Sequence, residues 1–287
     1  MSSTEGSRLS LLTHPYHELA PLQGGRAQLK SAARRPGSAL VWAVDSRDRV
    51  DEEQMVRRRP GGLSLLAVLP TVEDIVADPT VIHRVQSCRP HGILPGQRDP
   101  NPGDLAQVLR RPPHDLGGEV TDYLSWRGFA FDRATKDVIR TIIKLSEELR
   151  SISAVSRGMY LSRRALGRRL TTSGLPAPSH WLQIARVLRL VTRLQNTEAS
   201  VFSMAYAAGY PDGFSASNQM QRLIGHRPSQ ARQYLGWEWI VEAWIRREVE
   251  TGGLAPNVAM RLHHDGPRPH SPRPGRRGRP HTLRSPT

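Results

Sequence analysis

Short apolar runs and helix-length amphipathic stretches alternate through the first half of the chain. Ala39–Val44, Leu63–Leu69 and Gly92–Leu94 are too short for stable helices, and the second run stops at Pro70. Between and after them lie Asp51–Arg59, Val72–Ser87 and Asp104–Arg110, which have helix-like spacing. Strands alternating with helices predict a small, short parallel sheet, with Leu63–Leu69 buried on both faces. Residues 1–36 mix Ser, Gly, Pro and Arg without sustained periodicity and read as mostly disordered. Residues 37–131 are then expected to form an α/β sensor or dimerisation domain.

Beyond residue 131 the pattern is helical throughout. Asp132–Arg150 has Val138, Ile139, Ile142, Ile143, Leu145 and Leu149 close to a 3.6-residue stripe and no Gly or Pro, which predicts one long helix. Ile152–Met159 and Ser162–Leu170 follow as a helix-turn-helix, with Ser162 as the cap of its second helix. There Leu166 and Leu170 face inward, while Arg164 and Arg168, one turn apart, share an exposed face beside Arg163. Pro178–Gln195 reads as one amphipathic helix. Ser200–Ala208 is a short helix broken by Gly209-Tyr210-Pro211, and Gly213–Leu223 is a helix capped by Asp212 and closed by Gly225 and Pro228. Two helix-turn-helix units about fifty residues apart, held by a stiff helix, suit neighbouring major-groove segments about 34 Å apart. The expected domain, residues 132–250, ends in the helix Leu235–Glu250, packed through Trp237, Ile240, Val241, Trp244 and Ile245. Residues 251–287 read as a disordered basic tail.

Charge narrows the partner class. The chain carries 41 Lys and Arg against 26 Asp and Glu, a net of +15. Residues 1–135 hold 17 basic and 16 acidic side chains, residues 136–255 hold 17 and 9, and residues 256–287 hold 7 and 1. The excess therefore sits with the helical half, as a polyanion partner would require. Lys30, Lys136 and Lys144 are the three lysines; arginine's planar fork suits phosphate and guanine edges better. One cysteine, Cys88, excludes an internal disulfide and multi-thiolate zinc. No apolar run spans a bilayer and no signal peptide opens the chain, so a cytoplasmic protein without membrane contact is expected. No Gly-rich phosphate loop, nucleophile elbow or paired carboxylate stands out, so no enzyme, cofactor or metal is expected, the His263-His264-Asp265 cluster included.

The helical half resembles the AraC/XylS-type transcriptional regulators over roughly residues 135–235. The match is carried by Ala205-Tyr206-Ala207-Ala208-Gly209-Tyr210, Phe214-Ser215, Gly225-His226-Arg227-Pro228-Ser229 and Arg232, with Gly209 and Gly225 16 residues apart. Ser162, Leu166, Arg168, Gly174 and Pro178 are similar in the first unit, and Trp181, Leu182 and Arg186 in the linker. The resemblance implies DNA contacts at Arg164, Gly167 and Arg168 on the first recognition helix, and at Gly213, Phe214, Ser215 and Asn218 on the second. Gly167 has no side chain to read a base, Ala216 stands where the family often has a core aromatic, and Tyr160 replaces a usual small residue in the first turn.

The candidate contact set is Arg163, Arg164, Arg168, Phe214, Ser215, Asn218 and Arg222. Arg277 and Arg279, in a Gly-Arg-Arg-Gly-Arg-Pro run similar to an AT-hook core, are candidates for the minor groove. Expected partners are double-stranded DNA, with RNA polymerase and either a small-molecule effector or a second copy at the N-terminal domain as further candidates. Two rival readings stay open: a sequence-tolerant architectural DNA binder that uses the arginine tail, and a signalling output phosphorylated at Asp45 or nearby, with Asp48 close behind it.

Overall fold

The computed structural model describes residues 8–45, 50–96 and 100–262. Its first part is a five-stranded sheet of β1 (Leu9–Leu12), β2 (Leu19–Pro21), β3 (Ala39–Ala43), β4 (Ser64–Val68) and β5 (Gly92–Leu94), in the order β2-β1-β3-β4-β5. The helices around it are α1 (Gly25–Ala33), α2 (Val50–Arg57), α3 (Val72–Ala77), α4 (Thr80–Ser87) and α5 (Pro102–Arg110). β3, β4 and β5 run parallel. Every residue of β4 is buried, because helices cover both faces. Leu65 and Ala67 join the core formed with α1, α2 and α4, and Leu66 and Val68 join the opposite core with Leu105 and Leu109 of α5.

Several expectations are corrected here. Residues 9–33 are ordered rather than loose: β1 pairs antiparallel with both β2 and β3, so the sheet is mixed and not wholly parallel. Leu9 and Leu11 fill one core and Leu12 the other, a period-two pattern too brief to register in four residues. Val72–Ser87 divides into α3 and α4 at Asp78-Pro79, where proline offers no amide to continue the ladder.

The second part is helical: α6 (Leu116–Trp126), α7 (Arg133–Leu145), α8 (Ile152–Gly158), α9 (Arg163–Thr172), α10 (Pro178–Gln195), α11 (Val201–Ala207), α12 (Gly213–Ile224), α13 (Pro228–Ala231), α14 (Glu238–Glu250) and α15 (Pro256–Leu262). α7 is shorter than the expected helix. It ends at Ser146, whose hydroxyl bonds back to the Ile143 carbonyl. α6, which the sequence pattern leaves within the N-terminal segment, packs its Val120, Tyr123 and Leu124 into the helical core. α10 is the centre of that core, with Trp181 edge-on to Trp244 of α14 at 4.7 Å between ring centroids. α15 replaces the start of the expected tail. Val258, Ala259 and Leu262 are buried, and the Ala255 amide donates to the Gly174 carbonyl at the end of α9.

α14 ties the sheet to the helices through Glu238, and α6 and α10 to itself through Glu242 and Glu248. Its Glu238 accepts from Ser64 Oγ at 2.8 Å and pairs with His91 Nδ1 at 2.9 Å, its Glu242 accepts from Arg127 Nε at 2.6 Å, and its Glu248 meets His180 at 2.9 Å. The Tyr123 hydroxyl accepts from the Gly62 amide at 2.7 Å, and the Tyr16 hydroxyl accepts from the Leu235 amide at 2.8 Å while donating to the Gly37 carbonyl. These buried groups are therefore partnered, as their desolvation requires, whereas Nε and Nη1 of Arg89, beside Glu238, are buried without a hydrogen bond.

Candidate nucleic-acid interface

Two pairs of short helices flank α10. In the first, Ser151 and Ser162 cap α8 and α9 by accepting from the Ala154 and Ala165 amides at 3.2 and 3.1 Å. The turn between them runs through Tyr160 at φ 54°, a left-handed conformation that places the Leu161 amide on the Ser156 carbonyl at 2.9 Å. Leu166 and Leu170 are fully buried, each stabilising the helix's seat by ~1.5–3 kcal/mol. That seating leaves Arg163, Arg164 and Arg168 exposed, their side chains with no hydrogen bond or ion pair to any described residue. α9 has no acidic residue in its first turn, so its positive dipole end is not offset. A Cβ added at Gly167 would meet nothing within 4 Å, so the backbone itself forms part of this surface.

The second pair is built differently. Ser200 caps α11, and Asp212 caps α12 by accepting from the Ser215 amide at 2.6 Å. The hydrogen bond from the Ser215 amide lowers the Asp212 carboxyl below its usual range, and the Ser215 hydroxyl supports the same group. Ser215 is thus turned toward its own cap. Phe214 is 84% exposed and Asn218 is exposed four residues on, with Arg222 completing the stripe and donating to Gln183 Oε1 of α10 at 3.1 Å. Ala216 and Met220 form the buried face. α9 accordingly offers positive charge, and α12 offers a ring and an amide beside an anionic cap.

Not all the basic residues face outward. Arg150 donates to the Ala208 carbonyl at 3.0 Å, and Arg186 donates to those of Ala208 and Gly209 while lying 4.4 Å over the Tyr210 ring. Arg189 caps the end of α7 through the Ile143 carbonyl at 3.0 Å, and Arg232 bonds the Ala199 carbonyl. These arginines hold turns, so the charge excess of this half overstates what is free for a polyanion. In the first half, Arg59 is fully buried and donates to the carbonyls of Leu63, Val56, Cys88 and Arg89; burial, then the neighbouring Arg89, pushes its pKa down to about 10.

Sequence reasoning missed the exposed aromatics beside these helices: Tyr160 at 98%, Phe202 at 64% and Tyr206 at 72%. Phe202 and Tyr206 are four apart on α11 and so share one face, which is the signal their spacing carries. Asp45 is ion-paired with Arg8 at 2.7 Å. Among the described residues no three His, Cys, Asp or Glu side chains are grouped to hold a metal ion, and no helix is long and apolar enough to cross a membrane. Asp48, the His263-His264-Asp265 cluster, Arg277 and Arg279 lie outside the described residues.

No protein-family model matches the chain, and no curated protein does. Among solved structures, a transcriptional regulator from Chromobacterium violaceum, of the AraC-type DNA-binding domain-containing proteins, is similar at a TM-score of 0.32 and 22% identity. That match covers 35% of this chain and 94% of the other.

Proposed function

We propose that this protein is a cytoplasmic, sequence-specific regulator of transcription that binds double-stranded DNA and carries out no catalysis. In this reading α8–α9 and α11–α12 act as two helix-turn-helix units, and α9 and α12 enter successive stretches of major groove. The observation that carries it is α9. Three arginine side chains stand exposed and unpaired on a helix seated through Leu166 and Leu170, with Arg164 and Arg168 on the face turned away from those leucines. A merely solvated basic face is ordinarily laced with carboxylates, and this one has none.

The two helices divide the work. α9 supplies phosphate and guanine contacts through Arg163, Arg164 and Arg168, and α12 supplies adenine recognition through Asn218 and methyl contact through Phe214. Selection from a random duplex library tests this. The expected motif has two half-sites about one helical turn (~10 bp) apart, and Arg164→Ala and Arg168→Ala each weaken it by ~1–3 kcal/mol. Enrichment of no motif, or no change from the double alanine, would refute the reading. The architectural rival is tested by removing 263–287, which keeps α15 and its buried side chains in place. Loss of all duplex affinity with the fold intact would favour that rival.

A further inference from the structure

At the junction of the two parts lies a cavity of about 350 Å³, within the range that holds a small organic molecule. Its walls are apolar, formed by Pro60, by Ile245 and Val249 of α14, and by Leu262 of α15. Its floor is the Arg127–Glu242 ion pair, whose charges neutralise each other at 2.6 Å. Two further cations stand at its edge. The Arg34 side chain, at the end of α1, has no hydrogen bond or ion pair to a described residue, and that of Arg246 makes one 3.4 Å bond to the Glu242 carbonyl within its own helix. The carboxylate that also lines the space, Glu250, is engaged by Arg247 at 3.1 Å.

An apolar chamber with two guanidiniums at its rim, and its only other carboxylates already paired, is complementary to one chemical class. We propose that this cavity binds an organic acid, an apolar body carrying a single carboxylate, with the body against Ile245, Val249 and Leu262 and the carboxylate between Arg34 and Arg246. The guanidinium fork matches a carboxylate in geometry, so charge and shape agree. Gly61 keeps the floor in place: any Cβ there would collide with Arg127 and Glu242. A basic peptide is a poor occupant, since its charges would face Arg34 and Arg246.

The assignment is independent of DNA binding and is tested without DNA. The full chain is titrated calorimetrically with octanoate and with 4-phenylbutyrate, and in parallel with their uncharged amides. The acids are expected to bind at least about tenfold more tightly than the amides, the effect of a charge-assisted contact at a partly exposed site. Arg34→Gln with Arg246→Gln should abolish that preference while leaving the thermal midpoint of the free protein in place, because both side chains are exposed. Val249→Phe should reduce binding of acid and amide alike by filling the chamber. No binding of either acid at millimolar concentration, equal binding of acid and amide, or an undiminished preference in the double variant would overturn the proposal.

Discussion

His91 Nδ1 stands 2.9 Å from both carboxylate oxygens of Glu238, and this pair joins the end of the sheet to the first turn of α14. Burial pushes the His91 imidazole toward neutrality, but the Glu238 charge and hydrogen bond outweigh it and raise the pKa above 6.5. Burial likewise opposes ionisation of Glu238, and His91, with Arg89 and Ser64, overcomes it and holds that carboxyl down at about 2, from 4.5. The raised imidazole contributes stability fully below pH 6.5, lost as pH rises through its folded value. The depressed carboxylate contributes stability fully above pH 4.5, lost as pH falls toward 2. The junction should therefore be firmest between pH 4.5 and 6.5. Urea melts from pH 5 to 9 should show wild type losing stability above 6.5 and Glu238→Gln losing less over the same span. Glu238→Ala, which strands a buried imidazole, should cost ~3–5 kcal/mol at pH 6. Parallel wild-type and Glu238→Gln curves would disprove the coupling.

Gly167 separates fold from function on α9. A glycine inside a helix costs ~0.5–1 kcal/mol relative to alanine, and nothing lies within 4 Å of the added methyl. Gly167→Ala should therefore raise stability by that amount. Gly167→Glu should fold as well as wild type yet lose most of its duplex affinity, because it sets a carboxylate among Arg163, Arg164 and Arg168. An anisotropy titration that finds affinity unchanged would remove α9 from the interface.

Tyr160 holds a left-handed backbone at φ 54° with its ring almost wholly in solvent, an arrangement that an L-residue pays for by ~1 kcal/mol. Tyr160→Gly should stabilise the protein by roughly that much and weaken DNA binding, since the ring stands free beside the N-terminus of α9. Opposite movement of the denaturation midpoint and the duplex affinity is the expected signature. A more stable variant with undiminished affinity would leave the strain without a binding role.

Much of this was legible in the sequence because it is local. The bounds of α10 follow from Pro178 at the first helical position and an apolar stripe through Val191, and those of α12 from Asp212 and Gly225. The strands β3, β4 and β5 showed as bare apolar runs. What stayed hidden depends on contacts distant along the chain. β1 needs β3 to become a strand. Glu238 and Glu242 look like the polar face of an exposed helix until Ser64 and His91 arrive from the sheet and Arg127 from the end of α6. The same holds at the candidate interface, where Arg163, Arg164 and Arg168 lie exposed on α9 while Ser215 is drawn into its own cap and Arg222 onto Gln183.

The arginines that hold turns predict a different phenotype from those that face solvent. Arg186 forks onto the Ala208 and Gly209 carbonyls and covers Tyr210, so it fixes the turn between α11 and α12 to α10. Arg186→Met should leave the Gly209 carbonyl without its charged donor, Ala208 keeping that of Arg150, and cost about 1.5–3 kcal/mol. Lysine, a point charge without the fork, should not restore it. Gly209→Ala should act on the same turn by another route, because φ is 77° there and the added methyl would collide with the Arg150 guanidinium. Both variants should speed amide hydrogen exchange in α11 and α12 while α8 and α9 keep their protection, since the first pair is seated on α10 through Leu166 and Leu170. Uniform loss of protection across both pairs would mean that they open as one unit, and the turn would then hold no separate role in presenting α12.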